Sequence, residues 1–169
     1  MVGTSNHDQN AWEGTDQETW GKAFNAVTVL TVVGEGMPMI YNGQEAGNTK
    51  RLKFFEKDEI IWKPHPNGEL YKKLFALKKS NSTLLNWGNN ATMNLVPNSV
   101  PDKVFSFARQ NDKDKIFVVL NFSNLVQNVT FKETLYHGNY TEYFTGKKVK
   151  MDEKTKLVLQ PWSYHVFVK

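Results

Sequence analysis

Cysteine is absent from the 169 residues, which excludes disulfide staples and thiolate metal sites and leaves the redox compartment open. No apolar run approaches the ~18 residues a membrane span needs, so a transmembrane helix is not expected. A signal peptide is not expected within these residues, because the polar stretch Gly3 to Asn10 follows Met1-Val2 directly. Charge of one sign is scarce: the net charge is +4, and the lysines are spread in mixed-sign company. The one tight basic cluster, Lys50, Arg51 and Lys53, has Glu56, Asp58 and Glu59 beside it and reads as a solvated loop rather than a nucleic-acid patch. Neither nucleic acid nor a membrane is therefore expected as a partner. His65, His137 and His165 have no carboxylates at ligand spacing, so no metal is expected either. Sequons at Asn81, Asn90, Asn121, Asn128 and Asn139 are what chance gives in an Asn-rich chain and carry no inference about secretion, which leaves localisation open.

What is present is organised around Gly34-Glu35-Gly36-Met37-Pro38-Met39-Ile40-Tyr41-Asn42-Gly43-Gln44-Glu45. Met37 to Tyr41 reads as a short strand, apolar at successive positions, of the kind buried inside a parallel sheet covered on both faces. Polar groups just past the carboxyl end of such a strand stand where α/β barrels and open α/β sheets place their sites.

Upstream, Met1-Val2 reads as the end of a strand and Asn6-His7-Asp8 as the loop beyond it. A chain opening in this way is expected to continue a longer protein. Thr15-Asp16-Gln17-Glu18 is a capping box. The helix it opens is expected from about Asp16 to Val33, with Trp20, Ala23, Phe24, Val27, Leu30 and Val33 on one face. Ala46 to Pro66 is a long connection of the functional or lid type, in which Phe54, Phe55 and Trp62 are expected to form a private core. A second helix follows, capped by Asn67, carrying Leu70, Tyr71, Leu74, Phe75 and Leu77, and ending near Ser80-Asn81.

From Leu84 the texture changes to short β-branched and aromatic runs separated by Asn, Gly, Asp, Pro and Ser clusters. They fall at Ala91–Val96, Val104–Gln110, Ile116–Phe122, Val126–Phe131, Tyr140–Phe144, Lys156–Leu159 and Tyr164–Val168. That pattern is an antiparallel, Greek-key-like sandwich.

Asn6-His7-Asp8, the apolar helix, Gly36 to Glu45, Leu70-Tyr71-Lys72-Lys73-Leu74-Phe75-Ala76-Leu77-Lys78-Lys79, Phe107-Ala108-Arg109 and Val118-Val119-Leu120-Asn121-Phe122-Ser123 occur here in the order and spacing of one family. The chain resembles the α-amylase family of glycoside hydrolases. The resemblance implies an α/β part over residues 1–83, the last βα units of a (β/α)₈ TIM barrel (strand 7 exit, helix 7, strand 8, helix 8). It implies a carboxyl-terminal all-β antiparallel sandwich over 84–169. The implied chemistry is retaining cleavage of α-glucans such as starch and malto-oligosaccharides, with two carboxyls as nucleophile and acid/base. Asp8 matches the family's third carboxylate, which stabilises the transition state. His7 matches the imidazole that hydrogen-bonds the sugar, and Asn6 supports the loop. Trp12 either stacks on a sugar or packs, while Gln44 and Glu45 stand behind the site at the barrel mouth.

The nucleophile and acid/base belong to the fourth and fifth strands and have no counterpart in these residues, so the chain is expected to be inactive alone. Calcium accompanies the family, but no residues here assign it, and no other cofactor is expected. Unpaired strand edges and apolar helix faces in residues 1–80 lead us to expect self-association there. The competing reading is a non-catalytic sandwich that binds carbohydrate or a partner protein through Trp87, Tyr136, Tyr140, Tyr143 and Trp162.

Overall fold

The computed structural model describes residues 1–88 and 91–169, so the sequon at Asn90 lies outside the described residues. The chain divides into two compact units, Met1–Ser80 and Asn81–Lys169.

In the first unit the capping box forms as expected. Thr15 Oγ1 accepts from the Glu18 N–H at 3.3 Å, and Glu18 Oε2 accepts from the Thr15 N–H at 2.8 Å, opening helix α1 (Asp16–Trp20). The single long helix does not. Gly21 takes φ +49° and ψ −123°, a conformation open to glycine, and a 3₁₀ turn over Gly21–Ala23 leads into α2 (Phe24–Val33). The break shifts the buried stripe to Ala26, Val29, Val32 and Val33. Trp20, Ala23, Phe24, Val27 and Leu30 of the expected face stay partly exposed. Thr31 is buried too, its hydroxyl donating to the Thr28 carbonyl at 2.8 Å within the helix.

Helix α3 (Pro66–Ser80) packs on α2 and buries Leu70, Tyr71, Leu74 and Leu77. It starts one residue before the expected cap. Pro66 takes the first helical position, where a missing N–H costs nothing, and His65 Nδ1 accepts from the Asn67 N–H at 3.2 Å.

The expected Met37–Tyr41 strand is reduced to one parallel bridge. Val2 N–H donates to Met37 O and Met39 N–H donates to Val2 O, each at 2.8 Å, around the Val2–Pro38 pair. Pro38 has no N–H to extend a ladder, and Val2 is the only neighbour paired with it among the described residues. Met37 is accordingly 52 % exposed and residues 38–41 are half-buried rather than enclosed. Gly36 permits the approach: it sits at φ +108°, and a Cβ there would lie 2.7 Å from Val2 Cγ2.

The second unit is the antiparallel sandwich. Its strands are β1 (Asn94–Leu95), β2 (Val104–Gln110), β3 (Lys115–Asn121), β4 (Gln127–Thr130), β5 (Gly138–Glu142), β6 (Lys148–Met151), β7 (Lys156–Leu159) and β8 (Tyr164–Val168). A six-stranded sheet runs β1-β2-β3-β8-β5-β6, and β4 pairs with β7 in a second sheet. The chain leaves the large sheet after β3 for β4, returns to it with β5 and β6, leaves again for β7, and ends in it with β8 beside β3. Central position explains β3, where Ile116 to Leu120 are all fully buried. Phe117 meets Phe131, Tyr136 and Phe167 with ring centroids at 5.1, 5.7 and 5.9 Å.

Strand β6 is absent from the sequence expectation. Its alternation, Lys148-Val149-Lys150-Met151, buries only Met151 fully, and the two lysines make it read as a loop. β5 lies two residues earlier than expected because Glu142 begins a turn, its Oε2 accepting from Thr145 N at 2.9 Å and Thr145 Oγ1 at 2.6 Å. The aromatic platform proposed for the sandwich does not exist as one surface. Tyr136 and Tyr140 are inside the core and Tyr143 and Trp162 are half-buried, while Trp87 is exposed.

Candidate functional site

Asn6, His7, Asp8 and Trp12 lie on one helical turn that passes into a π-type turn at Gln9–Glu13. Asn6 starts it, its Oδ1 accepting from Gln9 N at 2.9 Å and its carbonyl from Asn10 N at 2.9 Å. His7 and Asp8 stand side by side at the surface. His7 Nε2 is 3.7 Å from Asp8 Oδ2, and their side chains are 67 % and 61 % exposed. Asp8 thus offers acceptor oxygens to solvent, able to hold hydroxyl groups or face a developing positive charge.

Gln44 lies beneath this turn and is buried. Its Nε2 donates to Thr4 Oγ1 at 2.6 Å, Asp16 Oδ2 at 2.8 Å and Ser5 Oγ at 3.0 Å. Its Oε1 accepts from Tyr41 N at 2.9 Å and the Tyr71 hydroxyl at 3.2 Å. The peptide N–H can only donate and the ionised carboxylate can only accept, so the orientation of the amide is fixed. The Gln44 carbonyl also accepts from Asn67 Nδ2 at 3.0 Å. One side chain therefore joins the 4–5 segment, the start of α1, the bridge segment and α3. Burial, reinforced by the Asp16 charge, pushes the Tyr71 hydroxyl up to about 12, so it remains a proton donor throughout the physiological range.

Gln44 touches the residues leading into Asn6–Asp8, not Asp8 itself. Glu45 stays local, its Oε2 accepting from Gly43 N at 3.0 Å. Beside the hub is a cavity of about 260 Å³ lined by Asp16, Asn25, Gln44, His65 and Asn67 among others. Gly47 is flush against the His65 ring: a Cβ there would lie 2.5 Å from His65 Cδ2.

The 50–58 loop is attached to the same turn by residues that motif reading does not single out. Asn10 is buried, its Oδ1 accepting from Leu52 N at 2.8 Å and its Nδ2 donating to Lys50 O at 3.4 Å. Arg51 grips Glu18 with two N–H groups, Nε to Oε2 at 3.0 Å and Nη2 to Oε1 at 3.1 Å, and Nη2 also donates to Glu13 O at 3.2 Å. The Arg51 guanidinium, with help from the Thr15 amide and hydroxyl, holds the Glu18 carboxyl down at about 2. Lys50 pairs with Asp58, and Lys53 Nζ lies 2.7 Å from Glu56 Oε2. The basic cluster is thus spent on loop fastening; only its mixed-sign neighbours hinted at this.

The loop aromatics do not form a private core. Phe54 is 37 %, Phe55 85 % and Trp62 60 % exposed. Phe54 stacks on His7 with centroids 5.5 Å apart and planes at 24°, and tilts against Trp12 at 5.5 Å. Phe55 stands edge-on to Phe54 at 4.7 Å and to Trp12 at 6.4 Å. A private core fails because the loop turns these rings toward the Asn6–Trp12 surface rather than onto one another alone.

Among the described residues no three His, Asp or Glu side chains converge to hold a metal ion. No helix among the described residues is long and apolar enough to cross a membrane.

Residues 96–167 match the family described as alpha amylase, C-terminal all-beta domain. Over 168 aligned residues the chain is 25 % identical to oligo-1,6-glucosidase IMA5 of Saccharomyces cerevisiae, covering 92 % of this chain and 28 % of that protein. The α-amylase of Geobacillus thermoleovorans, solved in complex with acarbose, superposes with a TM-score of 0.77 at 16 % identity, over 98 % of this chain and 38 % of that one. The noncanonic maltogenic α-amylase AmyB of Thermotoga neapolitana superposes with a TM-score of 0.74 at 16 % identity, over 100 % of this chain and 38 % of that one. The chain thus spans 28 % of the curated relative's length. The likeness in fold extends into residues 1–80 as well as the sandwich. The sandwich thus matches the carboxyl-terminal all-β domain of the α-amylase family, and the fold is shared with α-amylases.

Proposed function

We propose that the chain supplies the carboxyl-terminal part of a retaining glycoside hydrolase acting on α-glucans. Residues 1–83 would be the last βα units of its (β/α)₈ barrel and residues 84–169 its sandwich domain. The observation that carries this is the exposed His7–Asp8 pair, presented on a turn that Asn6 caps and whose approach Gln44 pins from below. In retaining cleavage the sugar ring becomes oxocarbenium-like while two carboxyls about 5–5.5 Å apart serve as nucleophile and acid/base. Asp8 is assigned the third role. It accepts hydrogen bonds from sugar hydroxyls and stabilises the positive charge that develops on the ring. His7 hydrogen-bonds the same sugar, Trp12 packs on it, Asn6 holds the turn, and Gln44 and Glu45 position the segment beneath. The fastened turn supports this reading because a stabilising charge is most effective when already in place before the barrier.

One carboxylate cannot carry out a double displacement, so the 169-residue chain by itself is expected to bind malto-oligosaccharide without cleaving it. The test is incubation of the purified chain with maltotriose, reading both reducing-end release and binding by NMR. Binding without release, weakened by Asp8→Asn, is the expected result. Release of glucose by the chain overturns the division of roles, and absence of binding overturns the site. The partly exposed bridge segment and Met37 further support self-association through residues 1–80, which light scattering showing a strict monomer would refute.

A further inference from the structure

Large apolar side chains exposed together and rimmed by polar groups mark a surface that meets something. Phe55, Trp12 and Phe54 are such a group: 85 %, 61 % and 37 % exposed, in mutual ring contact, and continuous through the Phe54–His7 stack with the His7–Asp8 pair. The group is also held in place. Asn10 ties Leu52 to the turn, Arg51 clamps Glu18, and Asp58 accepts from Lys53 N at 3.0 Å while pairing with Lys50. Rings fixed in advance lose little conformational freedom when a ligand settles on them.

The chemistry of the patch selects its occupant. A pyranose has one face of C–H groups that packs on an aromatic ring, and a rim of hydroxyls that seeks charged and amide partners. Trp12 and Phe55 supply the ring faces, while Asp8, His7 and the ion-paired loop supply the polar rim. A purely apolar partner would leave those polar groups without exchange. We propose that Trp12, Phe54 and Phe55 form a stacking platform for a second glucose unit of the α-glucan whose neighbouring unit lies at Asp8, making the 50–58 loop a determinant of chain-length preference. This rests on the glucan reading of Asp8, extends the part Trp12 plays in it to the second ring, and adds Phe54 and Phe55, which that reading leaves unused.

The experiment titrates the 169-residue chain with maltotriose and, separately, with the single-ring methyl α-glucoside, following the tryptophan indole signals by NMR. Wild type should bind maltotriose about tenfold more tightly than the single ring, the scale of one added aromatic contact. Phe55→Ala should draw that ratio toward one, and Phe55→Tyr, which keeps the ring, should restore it. Asp8→Asn should weaken both sugars. Phe55 is so exposed that its truncation leaves the fold intact, and unchanged dispersion of the remaining signals verifies this. A ratio unmoved by Phe55→Ala while Asp8→Asn weakens both sugars overturns the platform and leaves the glucan site standing. No shift of the wild-type signals with either sugar overturns both. If Phe55→Ala instead abolishes self-association and leaves the sugar ratio alone, the patch belongs to a second copy of the chain and the platform falls.

Discussion

Phe117 and Phe55 are the same residue in two opposite settings. In residues 81–169 Phe117 is fully enclosed by Phe131, Tyr136 and Phe167, and Ile116 to Leu120 around it are equally buried. In residues 1–80 Phe55 is 85 % exposed, and Met37, Trp12, Ile61 and Trp62 are likewise more than half exposed. The sandwich is held by its apolar interior, with a few buried polar groups such as Ser106, Arg109 and Asn121 on its strands. The first unit is held around the Asn6–Trp12 turn by polar convergence on Gln44 and by ion pairs on the 50–58 loop, with part of its apolar side chains turned outward. A region whose apolar groups face outward while its polar groups face one another draws less of its stability from apolar burial and leaves a surface open to a partner.

The comparison breaks most visibly at the two phenylalanines. Phe117→Ala should cost about 3–5 kcal/mol, the range for removing a buried ring, whereas Phe55→Ala should change stability by no more than about 0.5 kcal/mol. Urea unfolding of the two variants decides it. Equal losses would mean that Phe55 is held by more than its surface neighbours.

A smaller effect sharpens the contrast from the polar side. Gln44→Leu keeps the bulk but removes partners from Tyr41 N, the Tyr71 hydroxyl and Asp16 Oδ2 together. Stranding buried polar groups costs about 1–3 kcal/mol each before relaxation, so a net loss of roughly 2–4 kcal/mol is expected. Amide hydrogen exchange should show that loss in residues 1–80, with β3 and β8 protected as before. Uniform loss of protection through the sandwich would refute the idea that Gln44 serves the first unit alone.

What the sequence made legible follows the range of the interactions involved. The Thr15–Glu18 capping box spans one turn and could be read from four letters. The strands β2, β3 and β8 announce themselves through their runs of β-branched and aromatic side chains, although Ser106, Arg109 and Asn121 within them are polar and buried. β6 escaped because its two lysines hid the alternation, and the break at Gly21 because a glycine inside a helical pattern does not reveal its φ. His7, Asp8 and Trp12 share one helical stretch where a loop was expected. The Gln44 hub was out of reach, since Thr4, Ser5, Asp16 and Tyr71 are brought to it by the fold and by no pattern in the chain. Phe54-Phe55 misled for the plainest reason. Two adjacent aromatics suggest burial, and here the loop displays them.

Acid should separate the two units by the groups each has perturbed. Burial lowers His165 in the sandwich from its ordinary 6.5, against a smaller opposing pull from Glu142. The unfolded chain then takes up that proton more readily than the folded one, so this part of the sandwich's stability is present above pH 6.5 and is lost as pH falls through the folded value. In the first unit Arg51, followed by Thr15, lowers Glu18 from 4.5 to about 2. A depressed carboxylate contributes above 4.5 and loses its contribution as pH falls toward 2, so the loop fastening should outlast the first weakening of the sandwich. The pair is solvent-exposed and its effect on global stability is accordingly small. The direct readout is the Glu18 carboxyl carbon shift in an NMR titration. Its midpoint should lie near 2 in the wild type and climb toward 4.5 in Arg51→Met, with part of the depression retained because Thr15 still donates. His165→Leu should meanwhile flatten the fall in sandwich Tm that begins below pH 6.5. An unmoved Glu18 midpoint in Arg51→Met would show that the capping box alone sets that carboxylate, and the 50–58 loop would lose the ionic latch that distinguishes the first unit from the second.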